Sequence, residues 1–196
     1  EEMASHSFLV HHPEAFFEFY REHRIFHNIR PNTGHEALAE LERRGIVRLV
    51  VTQNIDGLHQ AAGSKNVFEL HGSTLRNYCM NCGAPYGIDY IAESAKAPDG
   101  IPHCTKCGGI VKPDVVLYEE GLDGACIEGA VRAIRDADML IIGGTSLVVY
   151  PAASLVNYYR GNKLVVINKT ATGGDAIATL VIRDSIGKVL GAVKTA

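Results

Sequence analysis

The chain has 196 residues, 46% of them apolar and 21% charged, with a formal net charge of −3. That length holds one sizeable core plus a small satellite module, and the composition is that of a soluble globular protein. The charge balance gives no reason to expect direct nucleic-acid binding, no apolar run approaches the roughly 20 residues of a membrane span, and the N-terminal Glu-Glu-Met-Ala-Ser-His lacks the basic and apolar regions of a signal peptide, so a cytoplasmic location off the membrane is expected.

Residues 1–30 read as helix-rich. His12-Pro13-Glu14 suits a helix start, and Phe16, Phe17, Phe19, Tyr20 and Ile25 give it an apolar face. His6, His11, His12, His23 and His27 converge on no ligand spacing and read as surface residues. Asn32 or Thr33 caps a helix running to Arg44, with Ala37, Leu38 and Leu41 inward, His35 in a capping or packing role and Gly45 as the stop signal. Residues 46–52 form an apolar strand, followed by a short helix from Ile55 to Ala62 and a strand over 67–70. Cysteines, prolines and glycines concentrate in 74–112, which is read as an inserted module. Strand-like sequence resumes at Lys112–Tyr118. A helix over 124–136, a buried strand at Met139–Ile142, a helix from Pro151 to about Arg160, strands at 164–168 and 180–183, and a helix over 185–195 follow. The alternation predicts an α/β fold, a Rossmann-like doubly wound parallel sheet formed by 1–73 and 113–196, with about 5–35 as a helical module and 74–112 as a zinc-binding module.

The polar residues cluster at strand ends, where ligands bind in open α/β sheets. Gln53, Asn54 and Asp56 follow the first strand, and His71-Gly72 the second. Asn54 and Asp56 are also good helix caps. His71 has no helix to cap. Gly143-Gly-Thr-Ser146 can approach a phosphate or ribose closely but is a weak signal alone, with neither a Gly-x-Gly-x-x-Gly nor a Gly-x4-Gly-Lys-Ser/Thr pattern. Asn168 suits either a ribose hydroxyl or a turn. Cys79-x2-Cys82 and Cys104-x2-Cys107, 21 residues apart, offer four thiolates to one tetrahedral structural zinc and leave no open position for metal catalysis. A redox dithiol fits two matched pairs poorly. Such ribbons also occur in nucleic-acid binders and kinase lids, so the spacing alone does not assign a function. Cys126 reads as an inert thiol.

Together, Thr52-Gln-Asn-Ile-Asp56, Glu69-Leu-His-Gly72, the cysteine pairs, Lys112-Pro-Asp-Val-Val116, Gly144-Thr-Ser-Leu147 with Val148-Val-Tyr-Pro151, Val166-Ile-Asn168 and Pro31-Asn-Thr-Gly-His-Glu-Ala-Leu38 resemble the sirtuins, NAD-dependent protein lysine deacylases. The resemblance runs over nearly the whole chain. It implies cleavage of the nicotinamide–ribose bond of NAD and transfer of the acyl group, acetyl foremost, from an acyl-lysine protein or peptide to ADP-ribose. His71 would be the base that activates a ribose hydroxyl, a task suited to an imidazole because it exchanges protons near neutral pH. Asn54 would order water and ribose, Asp56 would bind the carboxamide and Gln53 the ribose hydroxyls. Gly144, Thr145 and Ser146 would contact the phosphate and adenosine-ribose side, with Asn168 on the adenosine ribose and Ile186 near adenine. The substrate peptide would add as a strand between Val116-Leu117-Tyr118 and Val148-Val149-Tyr150.

Two departures accompany the resemblance. The family's Gly-Ala-Gly-x-Ser turn and Gly-Ile-Pro-Asp-Phe-Arg loop do not occur in this sequence, so a central strand and the diphosphate clamp are expected to be missing from it. These 196 residues alone are expected to bind NAD weakly or not at all. Where the family often has Gly-Glu after the Val-Leu-Tyr segment, this chain has Glu119-Glu120. Two other functions are consistent with the residues: a non-catalytic zinc-containing peptide-binding module, and NAD-dependent protein ADP-ribosyltransfer.

Overall fold

The computed structural model describes residues 1–25 and 28–194; His27 and the end of the expected last helix at Thr195 lie outside them. In chain order, α1 (His6–His11), α2 (Pro13–Arg24) and α3 (Thr33–Arg43) precede β1 (Val50–Thr52). Then come α4 (Leu58–Ala61), β2 (Val67–Glu69), β3 (Gly72–Cys79), β4 (Pro85–Gly87), α5 (Ile88–Glu93), β5 (Val111–Val115) and α6 (Gly124–Arg135). The strands β6 (Leu140–Gly143), β7 (Leu164–Ile167) and β8 (Leu180–Ile182) are followed by α7 (Ile186–Lys194). The chain divides into two compact units, one of Glu1–Ile29, Asn54–Gly57 and His71–Leu122, the other of Arg30–Gln53, Leu58–Leu70 and Asp123–Ala196.

The first unit is built on an antiparallel sheet of order β4-β3-β5. Its core joins Leu9 of α1 and Phe16, Phe17 and Tyr20 of α2 to Ile91 of α5, Val111 of β5 and Leu117. The apolar spacing expected for the first helices therefore holds, with Phe16, Phe17 and Tyr20 inward, while Phe19 stacks on His23 outside the core. Each of these aromatic rings buries enough surface to contribute about 2–3 kcal/mol.

The second unit contains the parallel strands. As the α/β, Rossmann-like reading expects, they pair in parallel, in two sets, β1 beside β2 and β6-β7-β8 in order. Helix α6 presents Ala130 and Ile134 to a core with Leu70, Ala152 and Leu155. Ala37 of α3, Ile167 of β7 and Leu190 of α7 form another. α3 and α7 approach closely at Gly34 and Gly187, where an added Cβ on Gly34 would lie 3.2 Å from Gly187 Cα. The α3 start follows the capping expectation: the Asn32 side chain accepts from Gly34 and His35 N–H, and His35 Nδ1 faces Asn32 N–H at 3.2 Å.

Several elements differ from the sequence reading. Ile46 and Val47 donate their N–H groups back to Leu41 C=O, at 2.9 and 3.1 Å, so β1 begins only at Val50. Asn54–Gly57 is not helical, because Thr74 N–H takes the Ile55 carbonyl that a helix would use. β6 is not buried: Ile141 is 41% exposed. Residues 152–158 wind as a 3-10 helix rather than an α-helix. No described helix is long and apolar enough to cross a membrane.

Candidate functional site

The residues singled out for chemistry fall in both units. In the first, the polar turn after β1 is bound to the start of β3. Ile55 C=O accepts from Thr74 N–H (2.9 Å) and Thr74 Oγ1 (3.1 Å), which fixes the backbone between Asn54 and Asp56. Asn54 is exposed and Asp56 half-buried. Half-buried His71 immediately precedes β3, and its C=O accepts Val116 N–H at 3.0 Å. The next residue must be glycine: Gly72 has φ +73°, and a Cβ there would sit 1.9 Å from Asp114 O. Tight apposition of β3 and β5 therefore holds the histidine in place. Two separate ties therefore converge on the start of β3, Ile55 to Thr74 on one side and His71 to Val116 on the other.

Beyond Val116 the expected substrate segment alternates, Leu117 buried in the core and Tyr118 exposed. Its main chain is already engaged. Leu117 N–H donates to Glu120 Oε2 and its C=O accepts Glu120 N–H, while Tyr118 pairs with Ala4 and His6. The Lys112 ammonium beneath it is only 4% exposed and is held by Glu120 Oε2 (3.0 Å) and Val115 O (2.9 Å). His6, read from sequence as a surface histidine, contacts Glu120 Oε1 through Nδ1 at 2.8 Å. Burial alone would raise the Glu120 carboxyl. The Leu117 N–H, His6 and Lys112 outweigh it and hold the group below the usual carboxylate range. No spacing pattern links positions 6, 112 and 120, so this network left no signal in the sequence.

In the second unit, Gln53 follows β1 with its amide toward two other candidates. Thr145 Oγ1 donates to Gln53 Oε1 at 3.2 Å, and Gln53 Nε2 reaches Val149 O at 3.5 Å. Gly144 N–H donates to Ile167 O, and Ser146 is exposed. Val148 and Tyr150 are 69% and 73% exposed. Ile186, in the first turn of α7, packs so tightly on Gly143 that a Cβ there would meet its Cδ1 at 2.1 Å. Asn168 follows β7, and its Nδ2 donates to Thr170 O at 3.0 Å.

The four cysteines are the most complete constellation. Their sulfurs all lie within 4.8 Å of one another, with Cys79–Cys107 at 3.4 Å and Cys82–Cys104 at 3.6 Å. A tetrahedron of Zn–S bonds about 2.3 Å long has edges of about 3.8 Å, so the set fits one zinc ion. The two knuckles repeat one design. Asn81 and Lys106 N–H each point at the first sulfur of their pair at 3.4 Å, and Gly83 and Gly108 N–H donate to the first cysteine's carbonyl. Tyr86 OH also donates to Cys104 Sγ at 3.1 Å and, foremost among the causes, holds that thiol down to about 6. Tyr86 was not legible from spacing. His103 engages Asp99 and Gly108 through its two ring nitrogens rather than standing as a fifth ligand. Bound zinc supplies a structural cross-link between β3 and the approach to β5.

A parallel α/β unit with polar strand ends, accompanied by a four-cysteine zinc module, defines a nucleotide-type fold with an inserted ribbon. Residues 1–151 match the model of the Sir2 family. The chain is 61% identical over 190 residues to an NAD-dependent protein deacetylase of Clostridium acetobutylicum, covering 97% of this chain and 76% of that protein. It is 63% identical over 194 residues to an NAD-dependent protein deacetylase of Clostridium perfringens, covering 98% and 78%. Among solved structures, "Sir2 bound to acetylated peptide" superposes with a TM-score of 0.93 at 35% identity, over 99% of this chain and 82% of that one. The chain belongs to the Sir2, or sirtuin, family.

Proposed function

We propose that the protein removes acyl groups, acetyl foremost, from lysine side chains of proteins with NAD as co-substrate, yielding nicotinamide and O-acyl-ADP-ribose. The observation that carries this reading is the anchoring of the Asn54–Asp56 turn, through Ile55, and of His71 at the start of β3, in a chain so close to proteins named deacetylases. In this reading NAD supplies the ribose carbon that receives the acyl oxygen as nicotinamide departs. His71 then takes the proton from a ribose hydroxyl. Asn54 orders water and ribose, and Asp56 binds the carboxamide. Gln53, Gly144, Thr145, Ser146, Asn168 and Ile186 line the nucleotide. Val116-Leu117-Tyr118 and Val148-Val149-Tyr150 receive the peptide. A cytoplasmic location belongs to the same reading, since four zinc-binding thiolates persist best in a reducing compartment.

The test incubates the full-length protein with NAD and an acetyl-lysine peptide and measures O-acetyl-ADP-ribose. A wild-type protein that forms none overturns the reaction. His71→Ala is expected to lose at least about 100-fold in turnover, the usual contribution of a positioned base, with zinc content unchanged. Retention of full activity by that variant would sink the base assignment.

A further inference from the structure

Three consecutive residues after β5, Tyr118, Glu119 and Glu120, tie that segment to the start of the chain. Tyr118 uses both main-chain groups: its N–H donates to Ala4 O and its C=O accepts His6 N–H, each at 3.0 Å. Glu120 binds Leu117 N–H, Lys112 and His6. Between them, Glu119 sits at φ +76°. A residue with a side chain holds that left-handed backbone only where its surroundings over-determine it. Here its own carboxylate does so. Oε2 accepts Ser7 N–H at 2.8 Å, and Oε1 accepts the Ser7 hydroxyl at 2.9 Å. Ser7 lies in the first turn of α1, where main-chain N–H groups have no intrahelical acceptor, and the Ser5 cap covers only Phe8 N–H. Glycine at this position would adopt the backbone freely and reach nothing. Glutamate adopts it under strain and fastens the segment to α1. Among the described residues, the main-chain N–H and C=O of Glu119 have no partner, so the clamped residue also presents an open donor and acceptor beside Tyr118.

We propose that Glu119 is a positioning residue for acyl-peptide recognition: by capping α1, its carboxylate holds Tyr118 and the open main-chain N–H and C=O of Glu119 itself in the conformation an incoming peptide strand meets. The inference rests on the peptide-binding reading of that segment given above. Preorganisation of this kind appears in peptide affinity and leaves the chemical step alone.

The experiment compares wild type, Glu119→Gly, Glu119→Gln and Ser7→Ala in the full-length protein, with an acetyl-lysine peptide at saturating NAD and with amide hydrogen exchange at Ser7. Glu119→Gly is expected to raise the peptide KM about fivefold, the scale of one net hydrogen bond, with kcat and the NAD KM within twofold. Ser7 exchange should accelerate about tenfold as the cap opens. Glycine relieves the left-handed strain, so thermal unfolding should not fall, and the KM change cannot be charged to a failing fold. Glu119→Gln, which can accept Ser7 N–H and donate to its hydroxyl, should restore both readouts, and Ser7→Ala should fall between. A Glu119→Gly protein with unchanged peptide KM, or unchanged Ser7 exchange, overturns the proposal. A wild-type protein that turns over no acyl-peptide instead overturns the deacylase reading and the recognition role built on it; the exchange measurement still decides whether the clamp exists.

Discussion

Replacing Gly72 by alanine tests the claim that the backbone beside His71 is fixed by sterics rather than by preference. Two costs add. The left-handed φ of +73° penalises any side chain by about 1–2 kcal/mol. The new Cβ would also lie 1.9 Å from Asp114 O, a backbone atom that cannot swing aside. A carbon and a carbonyl oxygen normally approach no closer than about 3.3 Å, so β3 and β5 must part by more than 1 Å, with loss of at least one ladder bond worth about 1 kcal/mol. The expected total is about 3 kcal/mol. Gly57 is the control in the same unit. Its φ of +70° carries the same backbone penalty, but its Cβ would meet the tip of the exposed Leu75 side chain, which can rotate away. Gly57→Ala should cost about 1–2 kcal/mol. Denaturant unfolding of the zinc-loaded protein measures both; at roughly 2–4 °C per kcal/mol, Gly72→Ala should also melt about 6–12 °C below wild type. Equal destabilisation by the two substitutions would refute the steric argument.

Two further outcomes follow from the site. The protein should hold one zinc ion per chain, and Cys104→Ser or strong chelation should release it and unfold the β4-β3-β5 sheet, as read by metal analysis and circular dichroism; zinc binding of about 10–16 kcal/mol in small modules exceeds the net stability of most domains. A zinc-free protein with an unchanged spectrum would contradict the structural role. Acid should destabilise the fold. The Arg183 guanidinium beside Asp175, the Lys188 ammonium beside Asp184 and the network around Glu120 hold these carboxyls below their ordinary values. A depressed folded-state pKa stabilises fully above the unfolded value, about 3.9–4.3, and the contribution is lost as pH falls through the lower folded value. Thermal midpoints should therefore drop below about pH 4, and a rise between pH 5 and 3 would show the sign to be wrong.

Features that depend on neighbours in sequence were legible. The Asn32 cap, the Phe16-Phe17-Tyr20 face and the paired cysteines are local patterns, and each appears where its spacing places it. The candidate site was legible as residue types at strand ends, which is why Gln53, Asn54, Asp56 and His71 could be named. Its wiring was not. Asn54–Gly57 has the composition of a helix start, yet Thr74, some twenty positions on, takes the carbonyl that a helix would need. Glu119 has no propensity for a left-handed turn; Ser7, more than a hundred positions away, supplies the reason. Ile46 and Val47 carry strand-like side chains, but the end of α3 claims their N–H groups first. In each case a distant or preceding hydrogen bond overrode an intrinsic preference.

The interleaving of the two units has a kinetic side. Residues 1–29 make the Leu9, Phe16 and Phe17 face, but its partners Ile91 and Val111 belong to a stretch that begins at His71. On a ribosome moving at about 5–20 residues per second, those aromatic rings emerge on the order of 5–20 s before the surface that covers them. Contacts so distant in sequence also slow closure once the chain is free. The nascent chain carries this aromatic helix without its Ile91 and Val111 partners for that interval, and α2 is a segment that holdase chaperones of exposed apolar sequence would bind.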